Sequence, residues 1–217
     1  MEENKYQIIL YGATGFTGKL CAEYFHSNYP DLNWAIAGRN KEKLENLKTE
    51  LNLDCDIFVA DSEDYEAIQN FVKQTKVVLS AAGPFARYST KVVEACVECK
   101  THYTDITGEN HWVKGLIDRF HEKAALDGTR IIPSCGYDSI PSDMGVYFSV
   151  TRSEKPVSHV TVYHSAKGGA SGGTTETMFT MGPLPKEMRD PFLLNPEDTV
   201  SDTVSYTHLR AHETRRY

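Results

Sequence analysis

The run Ile8-Ile9-Leu10-Tyr11-Gly12-Ala13-Thr14-Gly15-Phe16-Thr17-Gly18-Lys19-Leu20 constrains this chain more than any other stretch, because an apolar strand passes into a glycine-rich turn and straight on into a helix. In that order the glycines have separate tasks. Gly12 lets the strand close in a tight turn, and Gly15 lets a pyrophosphate approach bare backbone. Gly18 lets the new helix pack against the sheet, whose unpaired N-terminal N–H groups then face the anion. Thr14, Phe16 and Thr17 complete the loop around that position. The spacing, GxxGxxG, is one residue longer in its first turn than the commoner GxGxxG. The competing reading is a glycine turn in an unrelated α/β protein.

The chain that follows repeats strand, loop and helix. Leu32 to Ala37, Asp56 to Ala60, Lys76 to Ala82 and Thr129 to Pro133 read as buried parallel strands and His102 to Asp105 as a short, weakly patterned one, separated by helical stretches that include Lys41–Leu47, Tyr65–Val72, Tyr88–Cys99 and Trp112–Leu126. The alternation predicts an α/β fold, a Rossmann-type doubly wound parallel sheet, with ligands at the carboxyl ends of its strands. At the end of the second strand an NAD site normally carries Asp or Glu for the ribose 2′-hydroxyl, whereas this chain has Gly38-Arg39. Arg39 is therefore a candidate ligand for a 2′-phosphate, and NADP is expected in preference to NAD. Otherwise Arg39 simply opens a charged helix. Asp61 is read either as a partner of the adenine amino group or as a cap for the helix starting near Ser62. Ala82, Gly83 and Pro84 are expected to let the pyrophosphate and nicotinamide ribose pass close to backbone.

Ser134 to Asp143 is a polar, sterically special segment where the first domain should release the chain. Residues 1–150 are thus expected to form the nucleotide-binding domain. Residues 151–202 read as the incomplete start of a second α/β (α+β) domain, with an alternating strand over Pro156–Tyr163 and a helix over Thr175–Met181. The polar, basic residues 203–217 resemble translated adapter sequence and are expected to be non-native, the natural chain continuing past about residue 202.

A net charge of -7 argues against general nucleic-acid or anionic-membrane affinity. No transmembrane segment and no signal peptide are indicated, so an intracellular, by default cytoplasmic, protein is expected. The five cysteines are scattered and odd in number, which suits reduced thiols. Cys96-Val-Glu-Cys99 has redox or metal spacing, but one such pair makes a poor zinc site, and no metal is expected.

Gly12-Ala-Thr-Gly-Phe-Thr-Gly18, Ala37-Gly-Arg39, Ala82-Gly-Pro-Phe85, Tyr103-Thr-Asp-Ile-Thr-Gly-Glu109 and Gly136-Tyr-Asp-Ser-Ile-Pro-Ser-Asp143 occur in the order seen in the saccharopine dehydrogenase-like oxidoreductases, a family that includes the trans-acting enoyl reductases. The resemblance covers about residues 6 to 182. It implies an N-terminal NADP-binding Rossmann domain and a second α/β domain on the substrate side, in proteins about twice this length. It further implies a small-molecule or lipid-like substrate, either an enoyl compound or an imine. A homodimer through the C-terminal domain, and lipid-droplet or mitochondrial association, are also among its implications.

Hydride transfer would come from the nicotinamide, leaving the protein to place groups and supply a proton. Glu109 and Tyr137 are the candidate proton donors, while Asp105 and Asp138 are candidates for orienting backbone or ribose groups. The alternative is that these carboxylates cap helices and Tyr137 supports the domain junction. Tyr163 and Lys167, with Ser149 upstream, have short-chain dehydrogenase spacing, but that chemistry needs Tyr and Lys on successive turns of one helix, which Gly168-Gly169 would stop. A non-catalytic NADP-binding sensor or scaffold is the rival to an oxidoreductase.

Overall fold

The computed structural model describes residues 4–165, 169, 172–190 and 193–194. Six parallel strands form one sheet: β1 (Tyr6–Tyr11), β2 (Trp34–Gly38), β3 (Asp56–Val59), β4 (Thr75–Ser80), β5 (His102–Asp105) and β6 (Ile131–Ile132), in the spatial order β3-β2-β1-β4-β5-β6. Crossover helices join them: α1 (Phe16–Asn28), α2 (Lys41–Glu50), α3 (Tyr65–Val72), the short α4 (Phe85–Tyr88) with α5 (Thr90–Cys99), and α6 (Asn110–Asp127). Beyond the sheet lie α7 (Ile140–Thr151), α8 (Gly172–Met181) and a 3-10 turn at Glu187–Arg189. This is the doubly wound plan expected from the alternation.

Successive side chains of a strand point to opposite faces, and β1 uses both. Ile9 and Tyr11 pack with Val78, Ile68, Phe71, Val92 and Val93 on the side of α3 and α5, whereas Leu10 packs with Ile36, Ala22, Leu44 and Leu47 on the side of α1 and α2. Every residue of β2 is buried, which is why its sequence is continuously apolar rather than alternating. Parallel pairing, with Ile8 opposite Trp34 and Val77 and Tyr11 opposite Ala37 and Ser80, brings the strands' carboxyl ends to one edge of the sheet.

Helix ends follow local chemistry. The Asn40 side chain accepts from Lys43 N–H at 2.9 Å to start α2, and Asp64 accepts from Ala67 N–H at 3.0 Å to start α3. Gly128, at φ +71°, ends α6.

Five elements differ from expectation. The helix expected over Tyr88–Cys99 is split at Ser89 into α4 and α5, and β4 stops at Ser80. The strand β6 is reduced to two residues; Pro133 has no N–H to extend a ladder. The Pro156–Tyr163 segment forms no strand, because its alternating pattern meets no pairing strand among the described residues. The helix expected from Thr175 starts at Gly172. No helix among the described residues is long and apolar enough to cross a membrane, and none of their His, Cys, Asp and Glu side chains cluster as metal ligands. Cys96 is instead a core residue of α5, its thiol pushed well up by burial.

Candidate functional site

The loops that follow β1, β2, β3, β4, β5 and β6 emerge from the same edge of the sheet, and β1 and β4, where the strand order reverses, are neighbours. Ligands of doubly wound sheets bind in the crevice at that reversal. Gly12 stands there with φ +80°, and a Cβ on it would lie 2.7 Å from Ala82 N. The turn after β1 and the loop after β4 therefore touch through bare backbone. Gly18 meets the same turn from the helix side, since a Cβ on it would fall 2.2 Å from the Gly12 carbonyl oxygen. Gly15 is the N-cap of α1, without a side-chain cap bond. Unlike α2 and α3, α1 leaves its first N–H groups to an outside acceptor. Thr14, Gly15 and Phe16 are exposed around this N-terminus, with Phe16 at 72% exposure, and Thr17 is half-buried. Gly12 and Gly18 are thus required by close backbone packing, while the exposed backbone at Gly15 and the start of α1 forms a cradle that suits a pyrophosphate-bearing dinucleotide.

Arg39 leaves the end of β2 as an exposed side chain, its guanidinium 5.8 Å from the centre of the Tyr88 ring. Asp61, at the end of β3, does not cap α3; that position belongs to Asp64, and the Asp61 carboxylate accepts instead from Glu63 N–H at 2.9 Å. The helix-cap alternative for Asp61 is corrected accordingly. Burial holds the Tyr11 hydroxyl up to about 12, with a further push from the neighbouring Asp61.

Ala82, Gly83 and Pro84 follow β4, with a cis peptide between Gly83 and Pro84. A buried polar network supports them. Ser80 and Ser89 share a hydrogen bond of 2.9 Å, and Ser89 Oγ donates to Ala82 O at 3.5 Å. Glu109, 1% exposed, reaches across from the loop after β5, its Oε1 accepting from Phe85 N–H at 2.8 Å and its Oε2 from Ala86 N–H at 3.0 Å. Both oxygens of Glu109 are thereby engaged at the start of α4, and Thr177 Oγ1 of α8 donates to Oε1 at 3.4 Å. A carboxylate so placed clamps the Gly83-Pro84-Phe85 loop, the helix-capping alternative for this residue.

Asp105 is fully buried. Its Oδ1 accepts from Thr107 N–H at 3.0 Å and Ser134 N–H at 2.9 Å, and its Oδ2 from the Tyr103 hydroxyl at 2.8 Å. Burial raises its carboxyl above the ordinary range, opposed by these two N–H donors and by Tyr103. It orients backbone, tying the loops after β5 and β6 together. Asp138 lies exposed over the same junction, where a Cβ on Gly136 would come within 2.8 Å of its Oδ1. Tyr137 is 77% exposed and stands in water, outside the buried cluster of Asp105 and Glu109. Tyr163 is exposed and lies in no helix, which removes the geometry needed for a Tyr–Lys pair; Lys167 lies outside the described residues.

The buried Ser80, Ser89 and Tyr103 and the ring of Tyr88 were not among the expected site residues.

The family model for the saccharopine dehydrogenase NADP binding domain matches residues 8–132, from within β1 to the end of β6. The chain belongs to this family. A trans-acting enoyl reductase of Mycobacterium leprae is 40% identical over 149 residues, covering 67% of this chain and 36% of the relative. One of Mycobacterium bovis is 40% identical over 154 residues, covering 70% and 37%. A Mycobacterium tuberculosis relative 36% identical over 209 residues is spanned to 50% of its length, so the chain spans about half or less of these relatives. Among solved structures, apo saccharopine dehydrogenase (L-Glu forming) from Saccharomyces cerevisiae has the same fold, with a TM-score of 0.56, 18% identity and coverage of 68% of this chain and 32% of that one. Family, fold and cradle together make this a nucleotide-binding oxidoreductase-type domain.

Proposed function

We propose that this domain binds NADP(H) in preference to NAD(H) and serves an oxidoreductase that reduces an enoyl, lipid-like or imine substrate. The observation that carries the cofactor preference is Arg39, immediately beyond Gly38, which takes the place at the end of β2 where a carboxylate would select the unphosphorylated ribose. Its planar guanidinium suits paired bonds to a phosphate. The trans-acting enoyl reductase relatives support the enoyl reading. The bound nicotinamide would supply the hydride. Gly15 and the first N–H groups of α1 hold the pyrophosphate on backbone, Gly12 and Gly18 let turn and helix pack closely around it, and Glu109 and Asp105 fix the loops on the nicotinamide side. In this reading residues 1–150 bind the nucleotide and residue 151 onward opens a substrate and dimer-forming domain of an intracellular protein.

Titration of the chain with NADPH and NADH tests the cofactor. Saturable binding is expected, tighter for NADPH, and absence of binding to either refutes the proposal. Arg39→Ala should weaken NADPH far more than NADH, by about 1.5–3 kcal/mol for one lost set of charged hydrogen bonds. Equal losses would remove the selectivity role.

A second reading, a nucleotide-responsive sensor without turnover, draws on the commitment of both Glu109 oxygens to backbone N–H groups and on the exposure of Tyr137. A full-length chain that oxidises NADPH with an unsaturated thioester or an imine supports the enzyme, whereas binding without oxidation of either supports the sensor.

A further inference from the structure

Arg39 is a long, exposed side chain, and holding such a chain in one place costs rotamer entropy. A residue that fixes the guanidinium before a ligand arrives lowers that cost at the moment of binding. The ring of Tyr88, last residue of α4, stands 5.8 Å from the Arg39 guanidinium carbon, within the reach of a cation–π contact. Tyr88 is not free to wander. The N–H groups that open α4 are held by buried Glu109, and Ser89, next in the chain, is fully buried against Ser80. The chain of contacts thus runs from the loop after β5, through the loop after β4, to the arginine after β2.

We propose that Tyr88 is a specificity-determining positioning residue, whose ring presets Arg39 for a phosphate ester on the ribose of the dinucleotide. This rests on the reading of Arg39 as the 2′-phosphate ligand. The ring does the positioning and the hydroxyl is dispensable. Arg87, whose guanidinium is 5.2 Å from the same ring, pairs with Glu176 of α8 at 3.7 Å.

The test measures dissociation constants for NADPH and NADH on the whole 217-residue chain. Tyr88→Leu should weaken NADPH roughly two- to fivefold, the size of an exposed cation–π contact, and leave NADH unchanged. Tyr88→Phe should match the unsubstituted chain for both. Unaltered NADPH binding in Tyr88→Leu, equal losses for both nucleotides, or a Tyr88→Phe loss as large as that of Tyr88→Leu would overturn the inference. Arg39→Ala run alongside separates the two levels. Loss of NADPH preference there but not in Tyr88→Leu defeats only the role of Tyr88, whereas unchanged preference in Arg39→Ala defeats the phosphate reading and this inference with it.

Discussion

Gly18→Ala sets two opposing effects against each other at one helical position. On propensity alone, alanine in place of a helix-interior glycine stabilises by up to about 1 kcal/mol. At Gly18, however, the new Cβ would lie 2.2 Å from the Gly12 carbonyl oxygen and 2.8 Å from Ala13 Cα. Ordinary contact begins near 3.4 Å, so the shortfall is 3.4 minus 2.2, or 1.2 Å, against atoms of a turn that is itself pressed on Ala82. Neither side can yield by rotating a side chain. Overpacking of this kind costs about 1–3 kcal/mol, and backbone neighbours put Gly18 toward the upper end. The expected net loss is about 1–2 kcal/mol, read as a lower urea midpoint at unchanged slope. Gly115→Ala in α6 is the matched control, because nothing lies within 4 Å of its added Cβ; it should be neutral or gain up to about 1 kcal/mol. If Gly18→Ala is as stable as the unsubstituted chain, or if Gly115→Ala loses as much, the close approach of α1 to the β1 turn is not what the glycine provides.

Glu109→Ala should cost about 2–4 kcal/mol in urea unfolding, because it strips a buried charged acceptor from the N–H groups of Phe85 and Ala86. Glu109→Gln, which keeps one acceptor oxygen, should cost less, and a negligible loss in Glu109→Ala would refute the clamp. For Asp105 the sign is opposite to that of most carboxylates. Its folded value is raised, chiefly by burial, so the folded state takes up a proton more readily than the unfolded one. Its contribution to stability is fully present below the unfolded value and is lost as pH rises through the folded value. Compared with Asp105→Asn, the unsubstituted chain should gain stability as pH falls from neutrality through that window; a relative loss in unfolding experiments would contradict the direction.

Much of the fold is legible because its signals are local. Continuous apolar runs mark strands covered on both faces, and the glycines of the first turn mark a strand passing through a tight turn into a helix. Gly38-Arg39 is equally local, and the proposed preference for a phosphorylated ribose rests on it. The Pro156–Tyr163 segment shows where such reasoning fails, since a strand exists only in partnership and an alternating pattern does not name its partner.

The site's supporting contacts join residues distant in the chain. Glu109 reaches Phe85 across 24 residues, and Asp105 holds the Ser134 N–H across 29. Which carboxylate becomes a backbone clamp depends on strand order, because β4, β5 and β6 must lie side by side before the loops that follow them can meet. The same is true of Arg39 and Tyr88, brought together by the placement of β1 between β2 and β4. Residue periodicity specifies the face each element buries, and the glycine turn of Gly12, Gly15 and Gly18 is likewise read along the chain. The hydrogen-bonded surroundings that hold its far side depend on elements meeting in space, a relation that no single stretch encodes.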